Sequence, residues 1–320
     1  MPSDDTSLPA IPGAWMIWGA VAGVGAIALL MYREGLYIDP RAFSLIPFYC
    51  CGALAIGLCV GLRDAARREH RLVRDLAEYW ALGTLIAVVG AVASYPAAAA
   101  THGFVDPALA RADAALGFDW LAWYRVVADH PMLQVAGRIA YDSIFWMPAA
   151  ILAAFAWDGR RDRARALIAT LALAAALTLV VFRLAPAVGP LSYEWHGPLP
   201  YVPESAQWQQ ALIPPLRQHS FHLVDVGSLR GLVSFPSFHT AAAVMFIAAA
   251  WPMRRLRWPV LAVNAAMLLS TPVEGTHYLV DMIAGGAIAG IALALVGRLQ
   301  NRLARRPVRG SRGMQVAARA

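Results

Sequence analysis

The sequence predicts an all-α fold, a polytopic membrane helix bundle of about eight crossings around a six-helix core. Three observations carry that prediction. Hydrophobic residues make up 59% of the chain and charged residues 15%, too little charge for a water-soluble protein of 320 residues. Apolar stretches near the length a helix needs to cross the hydrocarbon layer recur from end to end. The basic residues, all of them arginine, fall in short blocks between those stretches, the pattern that orients membrane helices.

Residues 14–32 and 44–62 are the first two predicted spans. The segment before them is polar and acidic, unlike the basic start of a cleavable signal peptide, so the first span is expected to stay. Cys50, Cys51 and Cys59 share the second span. Two are adjacent and badly placed to bridge, which predicts buried thiols with neither a disulfide nor a metal site. A basic linker with Arg63, Arg67, Arg68, Arg71 and Arg74 leads to the third span, 79–98. Residues 102–131 mix Asp106, Asp113, Asp119 and Asp129 with Trp120, Trp123 and Tyr124, which suits short helices lying at the interface. The fourth span, 133–157, holds Arg138 and Asp142 one turn apart, able to neutralise each other inside a bundle.

Arg160, Arg161, Arg163 and Arg165 precede the fifth span, 166–182. Residues 183–235 then form a loop rich in Pro, Trp, Tyr and His. A loop of that length is either functional or disordered. This one is too aromatic for disorder and is expected to fold over something. The sixth span, 237–252, is followed by Arg254, Arg255 and Arg257, the seventh by the turn at His277, and the eighth by a basic tail; the last two spans are 258–271 and 278–296. The chain thus divides into a two-helix hairpin with its linker (1–78), a catalytic membrane domain (79–297) with exterior loops 99–131 and 183–235, and a basic tail (298–320).

Eight crossings with a cytoplasmic N-terminus put all four arginine-rich blocks inside, whereas the opposite orientation breaks the positive-inside rule at every one. The expectation is a bacterial inner-membrane protein with both termini cytoplasmic. Loop 183–235, the start of the sixth span and the turn before the eighth then face the periplasm. Membrane lipids are the expected partners. Arginines spent on orientation argue against a nucleic-acid partner.

Two motifs carry chemistry at that face. His277 and Asp281 stand four apart in an apolar run, which on a helix stacks them on one side. A carboxylate there can fix the imidazole and raise its basicity. Ionisable groups at a membrane face are costly unless paired or wet, so the pair is a functional candidate; the plain alternative is a tie between a helix end and a loop. The second motif is Pro236-Ser237-Phe238-His239. Ser237 is a predicted N-cap and His239 falls in the first turn. A helix start offers amides and a positive dipole to an anion, and Ser237 adds a hydroxyl. An anion site beside two histidines is what phosphoryl transfer through a phosphohistidine needs, one ring attacking phosphorus and the other protonating the leaving oxygen. No zinc spacing or glycine-rich phosphate loop is present, so neither metal nor cofactor is expected.

Pro236, Ser237 and His239, followed by Ser270, His277 and Asp281 at Ser-x6-His-x3-Asp spacing, resemble the second and third signature motifs of the type 2 phosphatidic acid phosphatase superfamily. The resemblance covers residues 183–296. It implies that His277 is the nucleophile, Asp281 its orienting partner and His239 the general acid, with Ser237, Phe238 and Ser270 beside the substrate. The sequence departs from the phosphatase pattern in three places. Thr271 stands where the third motif has arginine, and Phe238 where the second has glycine. Only Arg183, followed by Pro186, Gly189 and Pro190, remains of the first motif. That form, with the segment 109–123 containing Asp113 and Asp119, is similar to the branch containing inositol phosphorylceramide synthases. A phosphodiester carries one negative charge where a phosphomonoester carries about 1.5 to 2, so a site with few cations suits a diester head group.

Lesser candidates are Arg183 and Gly189 toward the phosphate, and Asp142, with Tyr141 and Ser143, toward the acceptor. For Arg183 the alternative is an arginine snorkelling at the headgroup level, and for Asp142 a buried pair with Arg138. Glu274 reads as a solvated turn residue, and His196, His219 and His222 carry no assignment. Two rivals stand beside the head-group transferase: a phosphatase of lipid phosphates or polyprenyl diphosphates with the same residues, and a transporter or scaffold. A transporter usually shows paired halves with broken helices at mid-bilayer, and no matching halves are visible in the sequence.

Overall fold

The computed structural model describes residues 9–206 and 208–305. The acidic start of the chain and the last part of the basic tail lie outside the described residues. Within them the regular structure is helical: α1 (Gly13–Arg33), α2 (Ile46–Gly61), α3 (Arg68–Ala99), α4 (Asp106–Ala115), α5 (Trp120–Ala128), α6 (Pro131–Tyr141), α7 (Ser143–Trp157), α8 (Arg161–Leu184), α9 (Pro190–Glu194), α10 (Trp208–Arg217), α11 (Phe238–Ala250), α12 (Arg257–Glu274) and α13 (Leu279–Ala304).

The eight predicted crossings all appear as helices, but they are not eight equal spans. Five are long and apolar enough to cross a membrane alone, and α6 with α7, bent by 44° at Asp142, makes a sixth. These features make the chain an integral membrane protein. The 13-residue α11 is short for a span. It is sheathed by protein, with Ala241, Ala242, Ala243, Met245 and Phe246 buried, so protein rather than lipid surrounds much of it. The 18-residue α12 is apolar on its outer side, but it points Asn264, Ser270, Thr271 and Glu274 inward, which lowers its hydropathy.

Several boundaries move, including the fifth span, which begins at Arg161 rather than Ala166. The third helix starts at Arg68 rather than near Tyr79, because Asp75 and Glu78 in that stretch hold arginines from two of the basic blocks. Asp75 accepts from Arg74 at 3.2 Å and from Arg161, and Glu78 accepts from Arg165 at 2.7 and 3.0 Å. Paired arginines can line a helix instead of forming a solvated linker. The fourth crossing is two helices, and Arg138 does not pair with Asp142. It reaches Glu204 at 3.4 Å and the Val202 carbonyl at 3.2 Å, since the bend turns it outward to the long loop. The last helix continues through Arg298 and Arg302 to Ala304.

α3, the α6–α7 pair, α8, α11, α12 and α13 form the core, with Tyr79, Ile151, Phe155, Ile168 and Phe246 sealed inside. α1 and α2 lean on α3 and bury little, 6% of each span. That is why Cys50 and Cys51 are exposed on α2 rather than buried as expected. In lipid, helices are held by close packing rather than by exclusion of water, which favours small residues at contacts. Gly285 shows this best: a Cβ there would lie 2.2 Å from the Ser237 carbonyl oxygen. Only glycine lets α13 approach the start of α11 that closely. Four residues, 275–278, reverse the chain between α12 and α13, with Thr276 in the left-handed region at φ 48°.

Candidate functional site

The start of α11 and the start of α13 meet at one end of the bundle. The Ser237 amide donates to the Asp281 carbonyl at 3.0 Å, fixing the two helix ends backbone to backbone. Asp281 lies in the first turn of α13, where one carboxylate oxygen accepts from the Tyr278 amide at 3.0 Å and meets His277 Nδ1 at 3.2 Å. The predicted pair therefore forms, but not as two residues stacked on one helix. Tyr278 is the extended N-cap residue, so His277 sits in the tight turn just before the helix. The carboxylate reaches back to it because it also caps that turn. Holding Nδ1 leaves Nε2 as the ring's outward nitrogen.

His239 approaches from α11. Tyr141, the last residue of α6, stacks on its ring with centroids 3.9 Å apart and planes 14° apart. The same tyrosine faces His277 across Gly275: a Cβ at Gly275 would lie 2.5 Å from His277 Cδ2 and 3.1 Å from Tyr141 Cε2. Tyr141 is thus a shared wall of both imidazoles. The His239 Nε2 atom and the second carboxylate oxygen of Asp281 are sealed and have no hydrogen-bond partner among the described residues. Buried polar atoms are nearly always satisfied, so two orphans at one place mark where a polar ligand group would complete them. His239 lies close enough to His277 to feel it electrostatically.

Ser237 caps α11 as expected, its Oγ accepting from the Thr240 amide at 3.4 Å and the Thr240 hydroxyl at 3.3 Å. The amides of Phe238 and His239 form no hydrogen bond among the described residues. They are the open donors of the helix start that carries His239. Phe238 also turns its side chain into the core.

Gly189, at φ 90°, packs against Thr276: a Cβ there would lie 2.6 Å from the Thr276 carbonyl oxygen, so glycine supports the turn that carries His277. Ser270 donates to the Met267 carbonyl within α12 at 2.9 Å. Asp142 marks the α6–α7 bend. Arg183 is exposed at the end of α8 and makes no ion pair among the described residues. Its long side chain is free to snorkel.

Three supports were not foreseen. Asp113 on α4 accepts from the amides of Leu279 at 2.7 Å and Val280 at 3.0 Å, capping α13 from outside the helix. Asp106, on the same face two turns earlier, accepts from the amides of Val188 at 3.0 Å and Gly189 at 2.9 Å and from the Tyr278 hydroxyl at 3.3 Å. Burial pushes both carboxyls above the usual carboxylate range, and the amides they accept from pull the other way. Their i, i+7 spacing was the available signal.

Glu274, expected to be solvated, is instead buried. It accepts from the Tyr201 hydroxyl at 2.5 Å and the Glu204 amide at 3.2 Å, while its carbonyl takes the Ser205 amide and hydroxyl. A buried carboxylate must be hydrogen-bonded. Here it fastens the long loop onto the end of α12, beside the turn that holds His277.

Asp113→Ala is expected to orphan two partly buried amides and lower stability by about 1–3 kcal/mol, with reduced turnover. Asp113→Asn keeps one acceptor oxygen and loses less. Thermal unfolding and turnover of the two variants check this ordering, and equal losses would remove Asp113 from the positioning of α13.

A family model described as the PAP2 superfamily matches residues 107–295. No curated protein and no solved structure matches the chain. The match covers more than half the sequence and spans both histidine motifs together with Asp113, which caps α13, so this chain is a member of the PAP2 superfamily, with a phosphatase or phosphotransferase type of lipid function.

Proposed function

We propose that the protein moves a phosphorylated head group from a phospholipid donor to a lipid hydroxyl, as inositol phosphorylceramide synthases do, through a phosphohistidine on His277. The observation that carries this reading is the meeting of a carboxylate-held His277 with a sealed, unpartnered His239 Nε2 beside two open amides. The phosphodiester oxygens dock on the amides of Phe238 and His239 and on the Ser237 hydroxyl. His277 Nε2 attacks phosphorus and forms a P–N bond as the P–O bond to the departing diacylglycerol breaks. Protonated His239 gives its proton to that oxygen. The acceptor hydroxyl then attacks phosphorus, its proton passes to His239, and the P–N bond breaks. Asp281 orients the nucleophile and stabilises the cationic ring.

Thr271 where the third motif has arginine, with only Arg183 left of the first motif, favours a monoanionic diester over a phosphate monoester. The placement we propose is the periplasmic side of a bacterial inner membrane with both termini cytoplasmic. Its support is that three arginine blocks gather at the other end of the bundle.

The test offers purified protein phosphatidylinositol with ceramide or diacylglycerol, and phosphatidate separately. Head-group transfer without rapid phosphate release from phosphatidate is expected. Brisk phosphate release with no transfer would instead assign a lipid phosphatase that uses water as acceptor.

A further inference from the structure

A cavity of about 1320 Å³ opens at the end of the bundle far from the histidines. α8 alone has 24 residues, about 36 Å of helix between the two ends. The cavity wall joins three distant stretches of sequence: Arg68 and Arg71 at the start of α3, Arg160, Arg161 and Arg163 around the start of α8, and Arg254 and Arg255 in the turn from α11 to α12. Against these seven arginines stand Asp75 and Asp158 in the wall and Asp162, which pairs with Arg160 at 3.1 Å, leaving an excess of four positive charges. Asp75 is already taken by Arg74 and Arg161. Arg68 lies over the Trp157 ring at 5.1 Å and donates to its carbonyl. Arg254 and Arg255 form no hydrogen bond or ion pair among the described residues.

Orientation by the positive-inside rule asks for arginines in loops; it does not ask for a cavity that gathers them from three segments. Guanidinium groups facing one open volume repel each other unless an anion neutralises them, and their planar forks match phosphate oxygens. The rest of the wall is apolar, from Leu72, Phe155, Met253 and Leu256. Trp157, Trp251 and Trp258 are exposed around the same end, as aromatic residues at a headgroup layer are. Charge alone would suit any phosphate. An apolar wall at headgroup depth suits one that brings acyl chains with it.

We propose that this cavity binds the head group of a membrane lipid carrying two or more phosphates, a second lipid site on the face opposite the histidines. Such a lipid bridges α3, α8 and the α11–α12 turn and holds the base of α11, whose other end carries His239. The site stands whether or not the transfer reaction does.

The test uses the full chain in detergent, stripped of lipid and titrated with cardiolipin, phosphatidylcholine or inorganic pyrophosphate while thermal unfolding is followed. Cardiolipin is expected to raise Tm by roughly 5 °C once it is about a hundredfold above Kd, and phosphatidylcholine is not. The double variant Arg254→Gln/Arg255→Gln should lose most of the shift. Arg298→Gln/Arg302→Gln, on the same face but outside the cavity, should keep it. Arg254→Lys/Arg255→Lys preserves the orienting charge, guarding against a variant that fails to insert, and should bind several-fold more weakly through loss of the forks. A shift from pyrophosphate equal to that from cardiolipin would overturn the lipid assignment. No shift, or one that both the Gln and the Lys pair retain in full, would overturn the site.

Discussion

His277→Ala should abolish turnover, a loss on the order of 10⁴-fold or more, while the purified protein unfolds at nearly the wild-type temperature. The ring is the proposed attacking group, so its removal deletes the covalent route rather than weakening binding. Its backbone role survives, because the turn is held by the His277 amide on the Pro272 carbonyl and by the Tyr278 amide on Asp281. Trapping with radiolabelled donor separates this from a structural role. The wild type should take up acid-labile label, and His277→Ala none. Labelled His277→Ala would move the nucleophile elsewhere. Asp281 gives no equally clean test, since its carboxylate both holds the imidazole and caps the helix, so Asp281→Ala would lose stability and turnover together.

His239→Ala should cost about 10²–10⁴-fold on a natural lipid, the usual range for a general acid or base. The loss should depend on the leaving group. A diacylglycerol alkoxide needs a proton as it departs, whereas a p-nitrophenolate leaves without one. The variant should therefore form the covalent adduct readily from a p-nitrophenyl phosphodiester. It should then release the adduct slowly, because the acceptor hydroxyl has lost its base. Accumulated adduct with a burst of p-nitrophenol is the expected signature. Equal losses on both substrates, with no burst, would make His239 a packing residue against Tyr141 instead.

Much of the bundle was legible because lipid imposes a simple demand. Backbone groups in hydrocarbon must bond within their own segment, so length and hydropathy locate the helices. The arginine blocks were legible as blocks, but not as structure. Whether Arg74, Arg161 and Arg165 sit in a linker or on helices depends on Asp75 and Glu78, one of them 86 residues from its partner. Glu274 was misread for a similar reason: its hydrogen-bond partners lie about seventy residues away in a loop without periodicity. The thiols of α2 were misplaced because an apolar stretch does not say whether lipid or protein covers it.

For the candidate site, the sequence by itself determined the chemistry-bearing types and their local roles. Ser237 as a cap and the bond between His277 and Asp281 depend on neighbours within four residues, and such spacing is written directly in the chain. Only the tertiary structure decided that α11 and α13 begin at the same place, that Tyr141 lies beside both imidazoles, and that Asp106 and Asp113 hold the start of α13 and the 188–189 loop packed against the His277 turn. The physical reason is close packing. Gly285 and Gly189 matter through the backbone each one touches, and that neighbour is fixed by how whole helices dock rather than by any pattern along one of them.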